Sequence, residues 1–371
     1  MLVHAGVDWE RVLALARSHG LMPLLHRHLS LQADGLPQPV AARLCAEARA
    51  AARRNLDLTG ELLSLLQLMA GNDLPVIPLK GPGLAVHLYG DLALRPCGDL
   101  DLLVRPPDMP RAARLLVQRG YRAEPALSRG AAAVLLTSQH HQRFVRDPGP
   151  IVELHWRFTQ REFPFSLDPE RARARLTPVR LGGATVQILA PEDLLLYLSA
   201  HGAKHLWARL LWVGDVAALT QKGTMHWPDV TTRARSLGVA RAVRLALVLA
   251  RDLLGSDIAG EVAEWVSRDA AVSRLAALTR RRLFITDRLP AQGWERLGFY
   301  LKARERWRDK ARSAFHLVAT PTVAELTLVA LPLGLRRLYY LLRPLRLAAK
   351  YAGRLWRAVR VRTVKDLLLR H

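Results

Sequence analysis

Cysteine is nearly absent from this chain of 371 residues. Only Cys45 and Cys97 occur, which excludes a disulfide framework and the paired spacings of a structural zinc site. Such usage fits a reducing, cytoplasmic setting. Lysine is scarce as well, with seven Lys beside 48 Arg. Aromatic residues make up 6%, so a core must lean on Leu, Ala and Val. No run of about 18 apolar residues occurs, so no spanning helix is expected. The longest candidate, residues 326–335, is interrupted by Pro332. The opening MLVHAGVDWERV has neither a basic nor an apolar leader region, so no secretory signal is expected. Acids are in the minority, 32 Asp and Glu against 55 Lys and Arg, for a formal net charge of +23. That balance points to an anionic partner: a phosphorylated substrate, a nucleic acid or a membrane surface. The preference for Arg over Lys marks part of the excess as compositional.

Half of the residues are hydrophobic, enough for a sizeable core with helical additions. The informative stretch is residues 79–104, LKGPGLAVHLYGDLALRPCGDLDLLV. Its pattern predicts a strand over residues 75–79, a Lys80-Gly81-Pro82-Gly83 turn, a helix over 82–89, a loop over 90–98 and a strand over 99–104. In a strand alternate side chains share a face, so Asp99 and Asp101 point one way and Leu100 the other. Two carboxylates held this close repel unless a cation lies between them. Mg²⁺ suits, because it takes oxygen ligands and shares them with substrate phosphates. Glycine lets a phosphate approach the backbone, and a helix N-terminus favours its charge. A lone D-x-D is more often a solvated strand edge, so the context carries the weight.

That context resembles the nucleotidyltransferase superfamily of the DNA polymerase β type. It is most similar to a bacterial family of uncharacterised nucleotidyltransferases. The matching motifs are Leu79-Lys80-Gly81, Arg95-Pro96-Cys97-Gly98-Asp99-Leu100-Asp101 and Glu153-Leu154-His155-Trp156. The chain departs from the superfamily pattern in its Lys-Gly-Pro-Gly turn and in a longer gap to Asp99. The resemblance spans about residues 70–215. It implies an α+β fold, a small mixed sheet with flanking helices. It also implies transfer of an NMP group from an NTP, ATP being the default, to a hydroxyl or phosphate of an acceptor. Asp99, Asp101 and Glu153 would hold two Mg²⁺ ions. Lys80, Gly81, Gly83, Arg95 and Gly98 would bind phosphate. His155, His201, Lys204, His205 and Asp215 would line the acceptor pocket. His201 and His205 share a helix face, a zinc-compatible spacing with no evident third ligand.

The rest reads as helix. Periodicity predicts helices over residues 7–18, 21–29, 39–69, 109–119, 226–237, 239–254, 258–266, 270–286 and 294–316, with another opening at Pro191. A hairpin turns at Asp147-Pro148-Gly149, a third strand begins near residue 121, and another covers 184–189. The expected divisions are a helical cap (1–72), a nucleotidyltransferase core (73–215), a helical domain (216–320) and a basic amphipathic tail (321–371). In the tail, Leu338, Tyr339, Leu345, Leu355 and Trp356 alternate with Arg343, Arg346, Arg354 and Arg357. This pattern suits a solvated tail or a helix packed on the domain with a charged outer face. It also supports a second hypothesis: a weakly catalytic scaffold that binds nucleotide, with a tail for an anionic membrane surface or, less readily, nucleic acid.

Overall fold

The computed structural model describes residues 6–31, 36–161, 163, 165, 167–258, 260–285, 293–350 and 352. Three helices open it: α1 (Trp9–His19), α2 (Met22–Ser30) and α3 (Gln38–Ala70). The core follows as β1 (Ile77–Pro78), α4 (Pro82–Tyr89), β2 (Asp99–Leu103), α5 (Met109–Gln118), β3 (Arg122–Glu124), α6 (Arg129–Ser138), β4 (His141–Val145) and β5 (Ile151–His155). Then come α7 (Pro169–Arg173), β6 (Thr177–Leu181), β7 (Ala184–Ile188), α8 (Pro191–Lys204) and α9 (Leu210–Thr220). Helices complete the chain: α10 (Trp227–Ser236), α11 (Ala240–Leu254), α12 (Gly260–Ser267), α13 (Ala270–Leu283), α14 (Gly293–Ala303), α15 (Trp307–Ala319) and α16 (Val323–Leu328). The fold is α+β, as the sequence implies. No described helix is long and apolar enough to cross a membrane.

The main sheet runs β1-β2-β5-β4-β3. Among the described residues only β2 and β5 pair in parallel, with Asp101 opposite Glu153 and Leu103 opposite His155. The period of two then sorts the side chains. Leu100, Leu102, Val152 and Leu154 enter one core with Leu58, Leu62, Leu65 and Met69 of α3. Each fully buried Leu contributes about 1.5–3 kcal/mol. The opposite face carries Asp99, Asp101, Glu153 and His155, with Leu103 entering a second core built on α8, α9 and α11. Polar residues alternating with apolar ones thus place the carboxylates between the sheet and α8.

Several elements differ from expectation, among them α7, where no helix was anticipated. Helix α6 lies where no element was anticipated, in the Ala- and Leu-rich stretch before the hairpin. Strand β6 completes a hairpin with β7, where a single strand was expected. The helix expected over residues 294–316 divides into α14 and α15, because Arg304 turns inward. Its Nη1 donates to the Gly238 carbonyl at 3.0 Å and its guanidinium stacks 4.0 Å from the Phe163 ring centre. The expected helix over 270–286 ends at Leu283, and Thr286 lies outside the described residues.

Residues 339–350 are helical, and the segment around them packs on the core rather than trailing from it. Leu326 and Tyr339 are buried in the same core as β2, and the Tyr339 hydroxyl donates to the Val329 carbonyl at 2.6 Å. Gly130 of α6 has to be glycine, because a Cβ there would collide with the Leu331 carbonyl. Arg343, expected on the outer face, is buried and 3.3 Å from the buried Glu325. Leu355, Trp356, Arg354 and Arg357 lie outside the described residues.

Glu61 joins α3 to the far edge of the sheet. It accepts from Arg119 at 3.0 Å and Arg146 at 2.9 Å, and the Tyr121 hydroxyl donates to it at 3.1 Å. Burial alone would raise its pKa, but the two guanidinium groups outweigh burial and hold it below 4.5. A depressed carboxylate contributes stability above its unfolded pKa and loses it as pH falls through the folded one. Glu61→Gln is therefore expected to cost about 1.5–3 kcal/mol near neutral pH. In urea denaturation the gap from wild type should narrow as pH falls below the ordinary glutamate range.

Candidate functional site

Helix α4 starts at Gly81, whose φ of 93° and ψ of −149° suit only glycine. This turn brings Lys80 over the end of β2. Lys80 Nζ lies 2.8 Å from Asp101 Oδ2. His155, two residues beyond Glu153 on β5, places Nε2 2.9 Å from Asp101 Oδ1 and 3.3 Å from Glu153 Oε2. His141 of β4 pairs across from His155 and reaches Glu153 at 3.6 Å. Its ring stacks on that of His155, centroids 5.0 Å apart. His140 follows, with its Nε2 3.0 Å from His141 Nδ1 and accepting from Lys204 Nζ at 3.0 Å. His155 Nδ1 is buried with no hydrogen-bond partner among the described residues.

These groups polarise one another. Burial would raise the Asp101 pKa, but Lys80 and His155 drive it well below the usual carboxylate range. Asp99 moves up, through burial and then the charge of Asp101, with Lys80 opposing. Glu153 is lowered despite burial, by its hydrogen bond with His155 and the charge of His141. His155 is raised, because its two carboxylate partners outweigh burial. Lys80 is raised despite burial, by Asp101 above all. Burial and the neighbouring His155 push His141 down to about 4. Burial, then Lys204, lowers His140 and takes His205 down to about 2. Burial and Lys80 lower His201. The outer imidazoles are thus pushed toward their neutral form, Asp101 and Glu153 toward the carboxylate, and Asp99 toward neutrality.

The cavity over this cluster measures about 400 Å³. Of the residues expected to bind phosphate, Lys80, Gly81, Arg95 and Gly98 line it, as do Asp99, Asp101, Glu153, His155, His201, Lys204 and His205. Tyr197, Arg209 and Trp212 line it too. Gly83 and Asp215 do not. Gly83 is buried in α4, where a Cβ would press on Ile188 at 3.2 Å. Asp215 is fully buried in α9 and binds one edge of the Arg95 guanidinium, Nε and Nη2 each at 2.9 Å. The Tyr89 hydroxyl donates to the same carboxylate at 3.0 Å. The structure thus puts Arg95 in a bidentate pair that anchors the loop before β2, with the Nε/Nη2 edge of its fork committed.

Two contributors escape a reading of the sequence. Asn55 in mid-α3 is fully buried; it donates to the Leu92 and Arg95 carbonyls at 2.6 and 2.9 Å and accepts from the Cys97 amide at 3.0 Å. Its signal is a polar residue on an otherwise apolar stripe. The other is His141, detectable only from the pairing of β4 with β5. Among the described residues, two groups have metal-ligand atoms within 4.8 Å of one another: Asp101–Glu153–His155 and His140–His141–His155. Two carboxylates and an imidazole this close have the chemistry to hold a divalent cation.

A small mixed sheet with carboxylates on neighbouring strands, under a Lys-Gly turn, has the form of a nucleotidyltransferase core. The chain belongs to the family described as uncharacterised nucleotidyltransferase, matching it over residues 5–255. Among solved structures it is similar to an antigenic nucleotidyltransferase-like protein from Paracoccidioides brasiliensis, at 14% identity. That match covers 57% of this chain and 92% of the other, with a TM-score of 0.36. No curated protein matches the chain.

The Arg95–Asp215 pair is open to a direct test. Removing one partner leaves a buried charge uncompensated, at a cost of about 3–5 kcal/mol. Asp215→Asn is expected to lose that much in urea unfolding. The Arg95→Met/Asp215→Leu double variant should recover most of the loss.

Proposed function

We propose that the chain is a metal-dependent nucleotidyltransferase that moves an NMP group from an NTP to a hydroxyl or phosphate of an acceptor. The observation that carries this reading is the convergence of Asp101, Glu153 and Lys80 on one wall of a cavity large enough for a nucleotide's phosphates. Asp99 and Asp101 would hold the Mg²⁺ that accompanies the triphosphate, and Asp101 and Glu153, with His155 beside them, a second cation. Bound divalent cations neutralise the phosphates and favour in-line attack at the α-phosphorus, with pyrophosphate leaving.

The chain's own residues then have distinct tasks. Lys80 supplies a fixed positive charge at the phosphate end and holds one oxygen of Asp101. Gly81 and Gly98 leave room for phosphate oxygens near the backbone. Arg95 acts by positioning, because its pair with Asp215 fixes the loop that delivers Asp99. His201, Lys204 and His205 on α8 form the wall facing the sheet, where the acceptor would lie. His205, held neutral, is able to accept a hydrogen bond from an acceptor hydroxyl. ATP is the first nucleotide to test.

A second reading has its own observation. Leu333, Leu335, Leu338, Leu341 and Leu345 are exposed beside the exposed Arg336 and Arg337. An apolar strip flanked by arginines suits an anionic bilayer surface. Sedimentation with phosphatidylserine vesicles, but not with phosphatidylcholine vesicles, is the expected result, reduced by Leu338→Asp/Leu341→Asp. Equal recovery with both vesicles sinks it.

For the transferase reading, calorimetry and thermal unfolding are run with each NTP, with and without Mg²⁺. Ligand at 100 times its Kd should stabilise the wild type by about 2.7 kcal/mol. Asp101→Asn should abolish both this response and transfer of α-labelled nucleotide. A wild type that responds to no NTP rejects the proposal.

A further inference from the structure

We infer that the protein-held cation of this cluster is a transition-metal ion bound through the His155 imidazole, rather than Mg²⁺ held by oxygen alone. The inference deepens the transferase reading and rests on its placement of a cation at Asp101 and Glu153.

The geometry is specific. Ligands about 2.1 Å from one ion lie about 3.0 Å apart along an octahedral edge and about 3.4 Å along a tetrahedral one. His155 Nε2 is 2.9 Å from Asp101 Oδ1 and 3.3 Å from Glu153 Oε2. Both distances to the imidazole thus match the edges of one coordination shell, and all three donors lie within 4.8 Å of one another. Lys80 contacts the other Asp101 oxygen, Oδ2, so Oδ1 stays directed at the imidazole. The nitrogen cannot be rotated out of the shell without disrupting the core, because His155 is 5% exposed and its ring is stacked on His141.

The neighbouring trio His140–His141–His155 has similar spacing but the wrong charge. It contains no carboxylate, and the Lys204 ammonium stands 3.0 Å from His140 Nε2. An ion there would have three imidazole ligands and no carboxylate ligand to offset its charge. The Asp101–Glu153–His155 group brings two carboxylates, so it is the one that takes the ion.

Ligand chemistry sets the preference. Mg²⁺ favours all-oxygen shells and keeps its waters. An imidazole ligand shifts a site toward first-row transition ions, in the order that runs upward from Mn²⁺. Mn²⁺ is the probe, because it also accepts carboxylates and is paramagnetic.

The full-length protein, stripped with EDTA, is titrated with Mn²⁺ without nucleotide while the free-ion EPR signal is followed. One ion should bind, and Mg²⁺ should need at least about a tenfold higher concentration to compete. Pulsed EPR should show the ¹⁴N coupling of a directly bound imidazole, replaced by a ¹⁵N pattern in protein labelled with ¹⁵N-histidine. His155→Asn, its fold checked by circular dichroism, should lose the coupling and bring Mn²⁺ and Mg²⁺ affinities to within about threefold. No Mn²⁺ binding, bound Mn²⁺ without nitrogen coupling, or coupling that persists in His155→Asn overturns the inference. Nitrogen-coupled Mn²⁺ in a protein that no NTP stabilises would reject the transferase reading alone. Mg²⁺-dependent NTP binding without nitrogen coupling would reject this inference alone.

Discussion

The parallel pairing of β2 with β5 is the constraint from which the cavity follows. It sets Asp101 directly across from Glu153 and Leu103 across from His155. A slip of one residue would turn every side chain of a strand to the other face. Asp101 would then enter the apolar core and Leu100 or Leu102 would face the cavity. The buried leucines of α3 prevent that slip, so the packing of one face fixes the chemistry of the other. The parallel connection also needs a long crossover. That crossover contains α5, β3, α6 and β4, and it returns as an antiparallel strand that delivers His141 against His155.

Away from the cavity, part of the arginine excess is spent on buried and half-buried acids. Asp193 meets Arg175 and Arg233, Asp269 meets Arg241 and Arg244, Glu325 meets Arg343 and Arg346, and Glu61 meets Arg119 and Arg146. A planar guanidinium presents several donors in fixed directions, and two of them saturate the lone pairs of one carboxylate. The net charge of +23 is thus in part an internal device, and a weaker argument for polyanion binding than its size implies. At Asp101 the two partners are Lys80 and His155 instead. Both are groups whose charge or contacts can change when a ligand enters.

The local signals were legible where one element answers to one pattern. The turn at Lys80-Gly81, helix α4, the strand bearing Asp99 and Asp101, and the hairpin bearing Glu153 all follow from periodicity and turn residues. What stayed hidden depends on contacts between distant segments. Arg95 reads as a phosphate ligand until Asp215, 120 residues later, takes its guanidinium. Gly83 reads as part of a phosphate turn until β7 packs on it. Residues 304–306 lack a proline or glycine to announce a break, yet Arg304 turns inward toward Gly238 and Phe163. Arg343 belongs to an exposed pattern in one dimension and to Glu325 in three.

The docking of Leu326 and Tyr339 beside the sheet bears on how this protein comes off the ribosome. The family match ends at residue 255, but the core containing β2 is closed by side chains at least 70 positions later. During synthesis the catalytic half therefore waits, with one edge of its apolar interior open, until those residues emerge. A fragment cut at the family boundary would carry that opening permanently. Whoever expresses the family segment by itself should meet a sticky, chaperone-dependent polypeptide.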